Sequence, residues 1–80
     1  MLGAIKMHDV VALLHDVRTK HFESGRALLL RRGQIGRCDE LPGRGYEVEF
    51  ADRDGRAFAI SPLRPEQLMV LHDTPDFAAA

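Results

Sequence analysis

The sequence predicts a small all-β domain, and three observations lead to that class. Apolar residues come in short bursts of strand length, separated by Gly, Pro and Asp turn signals. The segment Tyr46-Glu47-Val48-Glu49-Phe50 alternates strictly between ring or branched side chains and carboxylates, the pattern of a half-buried strand. And no stretch offers a place for a long helix. With 80 residues the chain has room for one domain, which buries only about 60% of its unfolded surface.

Taken in order, the first strand is Asp9-Val10-Val11-Ala12-Leu13-Leu14, rich in branched residues. Residues His15 to Arg26 are mostly polar and read as a long loop that ends in Ala27-Leu28-Leu29-Leu30. The next strand lies in the segment Arg31 to Leu41. Its apolar members Ile35 and Cys38 lie three apart, so a bulge at Gly36 is expected to turn both inward. Pro42-Gly43-Arg44-Gly45 is a turn by composition.

A hairpin follows from Tyr46 to Ser61. Of two possible registers, a three-residue loop of Arg53-Asp54-Gly55 keeps the large apolar groups together. It pairs Phe50 with Phe58, Val48 with Ile60 and Asp52 with Arg56, and it gives Gly55 the left-handed position. Leu63 to Leu68, with Pro65 near its start, reads as one 3₁₀ turn. Met69-Val70-Leu71 is a short closing strand. The domain therefore spans 7–71, with 1–6 and 72–80 as flexible termini that add little to the core.

Strand, long loop, strand, turn, strand, tight hairpin, strand, 3₁₀ turn and short strand form the layout of a small five-stranded SH3-like barrel. Closure removes the open edges that so small a sheet would otherwise expose. An OB-like barrel is the competing layout, and it usually needs a helix.

Asp9-Val10-Val11-Ala12-Leu13, Arg32-Gly33-Gln34-Ile35-Gly36, Tyr46-Glu47-Val48-Glu49-Phe50 with Asp54-Gly55, and Gln67-Leu68 occur here in that order. Together they resemble a bacterial domain-of-unknown-function family of very short SH3-like proteins, over about residues 7 to 71. The loop before the glycine-pair strand is longer here than is usual in that family, and Arg37 and Cys38 stand where small or β-branched residues are usual. The resemblance carries no established activity. It implies a stand-alone accessory or interaction protein, sometimes encoded beside another small protein. A broader likeness is to KOW-type segments, whose glycine spacing Gly33, Ile35, Gly36 and Cys38 match. Barrel geometry explains that spacing as readily as RNA contact does.

Composition narrows the function classes. The formal net charge is −1 and charged residues make up 29%, a balance that gives the whole chain no general affinity for polyanions. The single cysteine, Cys38, excludes an internal disulfide framework and suits a reducing cytoplasm. No apolar run approaches a membrane span, and no secretory signal is visible at the start.

Charge is nevertheless uneven. From Arg18 to Arg44 there are seven basic residues (Arg18, Lys20, Arg26, Arg31, Arg32, Arg37, Arg44) against Glu23, Asp39 and Glu40; from Gly45 onward, three basic face seven acidic. Such a dipole suits docking to an oppositely charged protein. The expected partner-binding set is Phe22, Leu28, Leu29 and Leu30 as apolar anchors with Arg26, Arg31 and Arg32 steering an acidic partner. The alternative is nucleic-acid contact through Arg31, Arg32, Arg37 and Arg44, against which stands the scarcity of stacking aromatics in that half, where Phe22 is alone. The bland reading of each is a solvated face of mixed charge, or loop residues folded back on the core.

Catalysis and metal binding find little support. Cys38 sits at an expected core position, where a cysteine acts as a small hydrophobe. Thr19, Ser24, Ser61 and Thr74 lie in no nucleophile motif. Glu47 and Glu49 share a strand face that should be flat and wet. Antiparallel first and last strands would bring His8-Asp9 near His72-Asp73, but four oriented ligands are the usual need of zinc, and solvated terminal residues are the default. No cofactor and no metal are expected, and the chain reads as a non-catalytic cytoplasmic binding module.

Overall fold

In the computed structural model, residues 5–40 and 45–78 are described; the turn at Pro42-Gly43-Arg44 lies outside them. Seven strands and one 3₁₀ turn occur among the described residues: β1 Val10–Leu13, β2 Val17–Lys20, β3 Ala27–Leu30, β4 Ile35–Glu40, β5 Tyr46–Ala51, β6 Ala57–Leu63, the turn Pro65–Gln67, and β7 Leu68–Val70. The all-β class is as expected. The strands form a five-stranded antiparallel sheet in the order β6-β5-β4-β1-β7 and a separate two-stranded sheet, β2-β3. The two are not joined into a closed barrel. Among the described residues, no helix is long and apolar enough to cross a membrane.

The core lies on the inner face of the large sheet. Val11, Cys38, Val48, Phe50 and Ala59 are fully buried, with Leu13, Leu30, Leu63 and Leu68 close to it. Ile5, in a segment to which the sequence assigned no core role, is 7% exposed and joins this cluster.

Three expectations about register and facing are corrected. On β4 the alternation is regular through Cys38: Gly36 and Cys38 point inward, and Ile35 is 57% exposed. Gly36 opposes Val11 on β1, and the irregularity falls between Cys38 and Glu40 instead. Gly36 is the residue that fits because a Cβ there would stand 2.7 Å from Val48 and 2.8 Å from the Phe50 ring.

In the β5–β6 hairpin the three-residue loop is present. The Asp52 N–H donates to the Arg56 carbonyl and Gly55 has φ +81°. Beyond it, however, a bulge between Phe50 and Ala51 shifts the pairing, so Phe50 opposes Ala59, Val48 opposes Ser61 and Glu49 opposes Ile60. Small Ala59 and Ser61 are thereby buried while Ile60 is 38% exposed. The bulge accommodates Phe50, whose ring fills the space that Gly36 and Ala59 leave open.

The third correction is the long loop. Residues 17–30 form a hairpin, in which Val17 pairs with Leu30, Arg18 with Leu29, Thr19 with Leu28 and Lys20 with Ala27. The 3₁₀ turn is where it was expected, and the closing strand starts one residue earlier, at Leu68. β6 also continues through Pro62 to Leu63. A proline is tolerated there because β6 is an edge strand and one of its N–H rows faces no partner.

Candidate functional site

The β2–β3 hairpin carries the side chains that sequence reasoning singled out, and its register decides which of them reach solvent. Residues directly opposite share a face. Val17 with Leu30, and Thr19 with Leu28, turn toward the core; Arg18 with Leu29, and Lys20 with Ala27, turn outward. Leu30 is 2% exposed and is therefore a core residue, which withdraws it from the expected binding set. Leu28 is half-buried against the core. Leu29 and Phe22 remain about half exposed, and Arg26, Arg31 and Arg32 are exposed. A shallow groove of about 260 Å³ is lined by Arg18, Thr19, Ala27, Leu28 and Leu29.

Local hydrogen bonds hold the hairpin at tip, flank and base. At the tip the His21 N–H donates to the Arg26 carbonyl, and the Gly25 N–H to the His21 carbonyl. Gly25 has φ +74°, which its missing Cβ allows. His21 Nδ1 accepts from the N–H groups of Glu23 (3.1 Å) and Ser24 (3.3 Å). Beyond the tip, the Phe22 N–H donates to the Phe58 carbonyl of β6 at 3.0 Å. Along the flank, Ser61 Oγ donates to Thr19 Oγ1 at 3.0 Å; Ser61 is 4% exposed. At the base, Asp16 accepts from the Arg32 N–H at 2.7 Å and faces Arg31 Nε at 3.6 Å. That fixes the turn Arg31-Arg32-Gly33-Gln34, closed by the Gln34 N–H on the Arg31 carbonyl with Gly33 at φ +89°.

The electrostatics of this hairpin are one-sided. Arg18, Lys20, Arg26, Arg31 and Arg32 stand against Asp16 and Glu23. Both carboxylates already have a guanidinium nearby, Glu23 facing Arg56 at 3.9 Å. Leu29 thus sits on an exposed strand face opposite Arg18, beside Lys20 and between the arginines of tip and base. Arg18 and Lys20 also stand on this exposed face, and sequence reasoning left them out of the candidate set. The signal was there in Val17-Arg18-Thr19-Lys20, an alternation of branched and basic residues, though only four residues long.

The alternative basic set is placed less coherently. Arg31 and Arg32 occupy the turn before β4, and Arg37 lies on the outer face of β4 between Val10 and Glu49. Arg44 is outside the described residues. Gly33 and Gly36 of the KOW-like spacing serve a left-handed turn and the packing of Phe50, respectively.

His8, Asp9, His72 and Asp73 do line one shallow cleft, as the antiparallel pairing of β1 and β7 requires. Among the described residues, no group of three or more His, Cys, Asp or Glu is arranged to hold a metal ion. Cys38 is buried, and its thiol pKa is raised by desolvation first and by the nearby Asp9 and Asp39 carboxylates second. Both effects disfavour the thiolate.

No curated protein and no solved structure matches this chain. A family does match, over residues 7–70, the span from just before β1 to the end of β7. With four-fifths of its length covered, the chain belongs to the family described as a domain of unknown function (DUF4926).

Proposed function

We propose that this chain is a non-catalytic bacterial binding module of SH3-like type, and that it recognises an acidic protein partner through the exposed face of the β2–β3 hairpin. The strand order supports the SH3-like reading: a first strand, a long hairpin excursion, three antiparallel strands, a 3₁₀ turn and a short last strand that returns to the first. The observation that carries the function is Leu29, about half exposed on a face flanked by Arg18, Lys20, Arg26 and Arg31. An apolar anchor in a basic field is the complement of an acidic segment with an apolar residue at its centre. Phe22 extends the apolar contact at the tip, and Arg32 adds to the steering charge. A cytoplasmic location fits a chain whose one cysteine is Cys38.

The test is affinity capture from the native host at low and moderate salt, with and without nuclease, using the wild type, Leu29→Asp, and Arg31→Ala with Arg32→Ala. A stoichiometric protein that survives nuclease and is lost on Leu29→Asp, by about thirtyfold or more in affinity, is the expected result. RNA or DNA that disappears at moderate salt and on removal of Arg31 and Arg32 would replace this reading with phosphate-backbone binding.

A further inference from the structure

The small sheet has a border that no described strand covers. The hydrogen bond from the His21 N–H to the Arg26 carbonyl fixes the phase of its ladder. Counting back from that pair, Thr19 with Leu28 and Val17 with Leu30 exchange backbone hydrogen bonds, while Arg18 with Leu29 and Lys20 with Ala27 do not. The N–H and C=O groups of Ala27 and Leu29 therefore point away from β2, along the outer border of β3. No strand pairs with β3 on that side, and no described residue hydrogen-bonds these groups. The other side of the hairpin, β2 and the tip, is the one that meets β6, through Thr19 on Ser61 and Phe22 on Phe58. The strand Ala27-Leu28-Leu29-Leu30 holds neither a proline nor a charged side chain, devices that commonly blunt such a border. Leu30 and half-buried Leu28 pin it to the core, so the edge is held extended before any partner arrives.

The side chains around this border select what can join it. Leu29, 52% exposed, stands on the outer face with Arg18 opposite it. Ala27 is small, so Lys20 opposite it can reach across toward an added strand. Arg31 follows the far end of β3, its side chain 74% exposed. The hairpin's carboxylates are Asp16, 3.6 Å from Arg31, and Glu23, 3.9 Å from Arg56. Arg18, Lys20, Arg26 and Arg32 have no side-chain ion pair among the described residues. Resting on the hairpin reading above, we propose that the acidic partner binds as an extended strand, which adds to β3 through the backbone groups of Ala27 and Leu29. Its apolar residue packs beside Leu29, and acidic residues two positions to either side meet Lys20 and Arg31. A second copy of this chain is the wrong occupant. Antiparallel pairing of two β3 edges would bring Arg26 of one copy close to Arg31 and Arg32 of the other.

The probe is a capped Thr-Asp-Thr-Leu-Thr-Asp-Thr peptide, titrated into the full chain with amide exchange followed by NMR. The Ala27 and Leu29 amides should exchange readily in the free chain and slow about tenfold or more once the peptide saturates it. Methylating alternate peptide nitrogens removes the donors that face β3 in one set and those that face solvent in the other. One set should weaken binding about tenfold or more, and the other should leave it unchanged. Leu29→Asp should abolish binding of the parent peptide. A peptide that binds through Leu29 while both amides exchange as before, or that tolerates both methylated sets, overturns strand addition and leaves the hairpin reading standing. Binding indifferent to Leu29→Asp removes both. A peptide that fails to bind at millimolar concentration overturns strand addition, and capture from the native host decides the hairpin reading separately.

Discussion

Gly36 offers the sharpest test of how this core is packed. A methyl group at that position would lie 2.7 Å from Val48 Cγ1, 2.8 Å from Phe50 Cε1 and 2.9 Å from Phe50 Cδ1. Carbon atoms rest at about 3.5–4.0 Å, so each contact is short by roughly 0.6–1.3 Å. Neither neighbour can retreat easily, because Phe50 and Val48 are both fully buried. Gly36→Ala should therefore cost about 2 kcal/mol, within the usual range for overpacking a well-filled core. For a domain of this size, that lowers Tm by about 8–16 °C. Thermal melts followed by circular dichroism, with Phe50→Leu and the double variant, make the reasoning exposed to refutation. Trimming the ring removes the Cε1 contact and leaves δ carbons that can turn away, so the alanine should cost less in the Phe50→Leu background. Gly33→Ala serves as the contrast: nothing stands within 4 Å of its added methyl, its φ is +89°, and its cost is backbone strain that Phe50→Leu cannot relieve. Strict additivity of Gly36→Ala and Phe50→Leu, or an unchanged melting temperature, would sink the packing account.

Three further predictions concern single buried groups. Thr19→Val removes the acceptor of the buried Ser61 hydroxyl and should cost about 1–3 kcal/mol; adding Ser61→Ala should recover part of that loss, measured by denaturant midpoint in a double-variant cycle. The Cys38 thiol should resist alkylation in the folded chain near neutral pH and react only on unfolding, so rapid native-state labelling would contradict its burial. Because its folded pKa is raised, the folded state holds the proton longer. Its contribution is intact below the unfolded thiol value of about 8.5 and is lost as pH rises from there toward the folded value, which a stability profile against pH should record as a decline on the alkaline side.

The elements legible from sequence were those whose local chemistry and burial agree. Tyr46 to Phe50 alternates cleanly because one face of β5 is core and the other is wet, and Pro65 sets the 3₁₀ turn by its fixed φ. What stayed hidden is governed by partners distant in sequence. The outward turn of Ile35 depends on Phe50 claiming the space inside Gly36, a fact no window around Ile35 contains. Ile60 faces out because the bulge beside Phe50 moves the register by one residue, and at period two a single step exchanges the faces. The same limit explains the candidate site. Phe22, Leu29 and the arginines were visible as an apolar and basic cluster, but Leu30 could be assigned to the core only once Val17 was known to lie opposite it. Residues 17–20 gave just two inward positions, too few to distinguish a strand from a polar loop.

The two free borders of the large sheet also bear on how such a short chain stays dispersed. An open row of backbone groups invites another polypeptide to add as an extra strand. Along β6 that row is shielded by the hairpin through Phe22 and Thr19, and Pro62 further on has no N–H to offer. At the opposite border β7 is three residues long, too short to template much pairing. Runaway stacking of backbones into fibrils is thus blocked at both ends. Any self-assembly through the large sheet is thereby steered away from backbone pairing and toward side-chain surfaces.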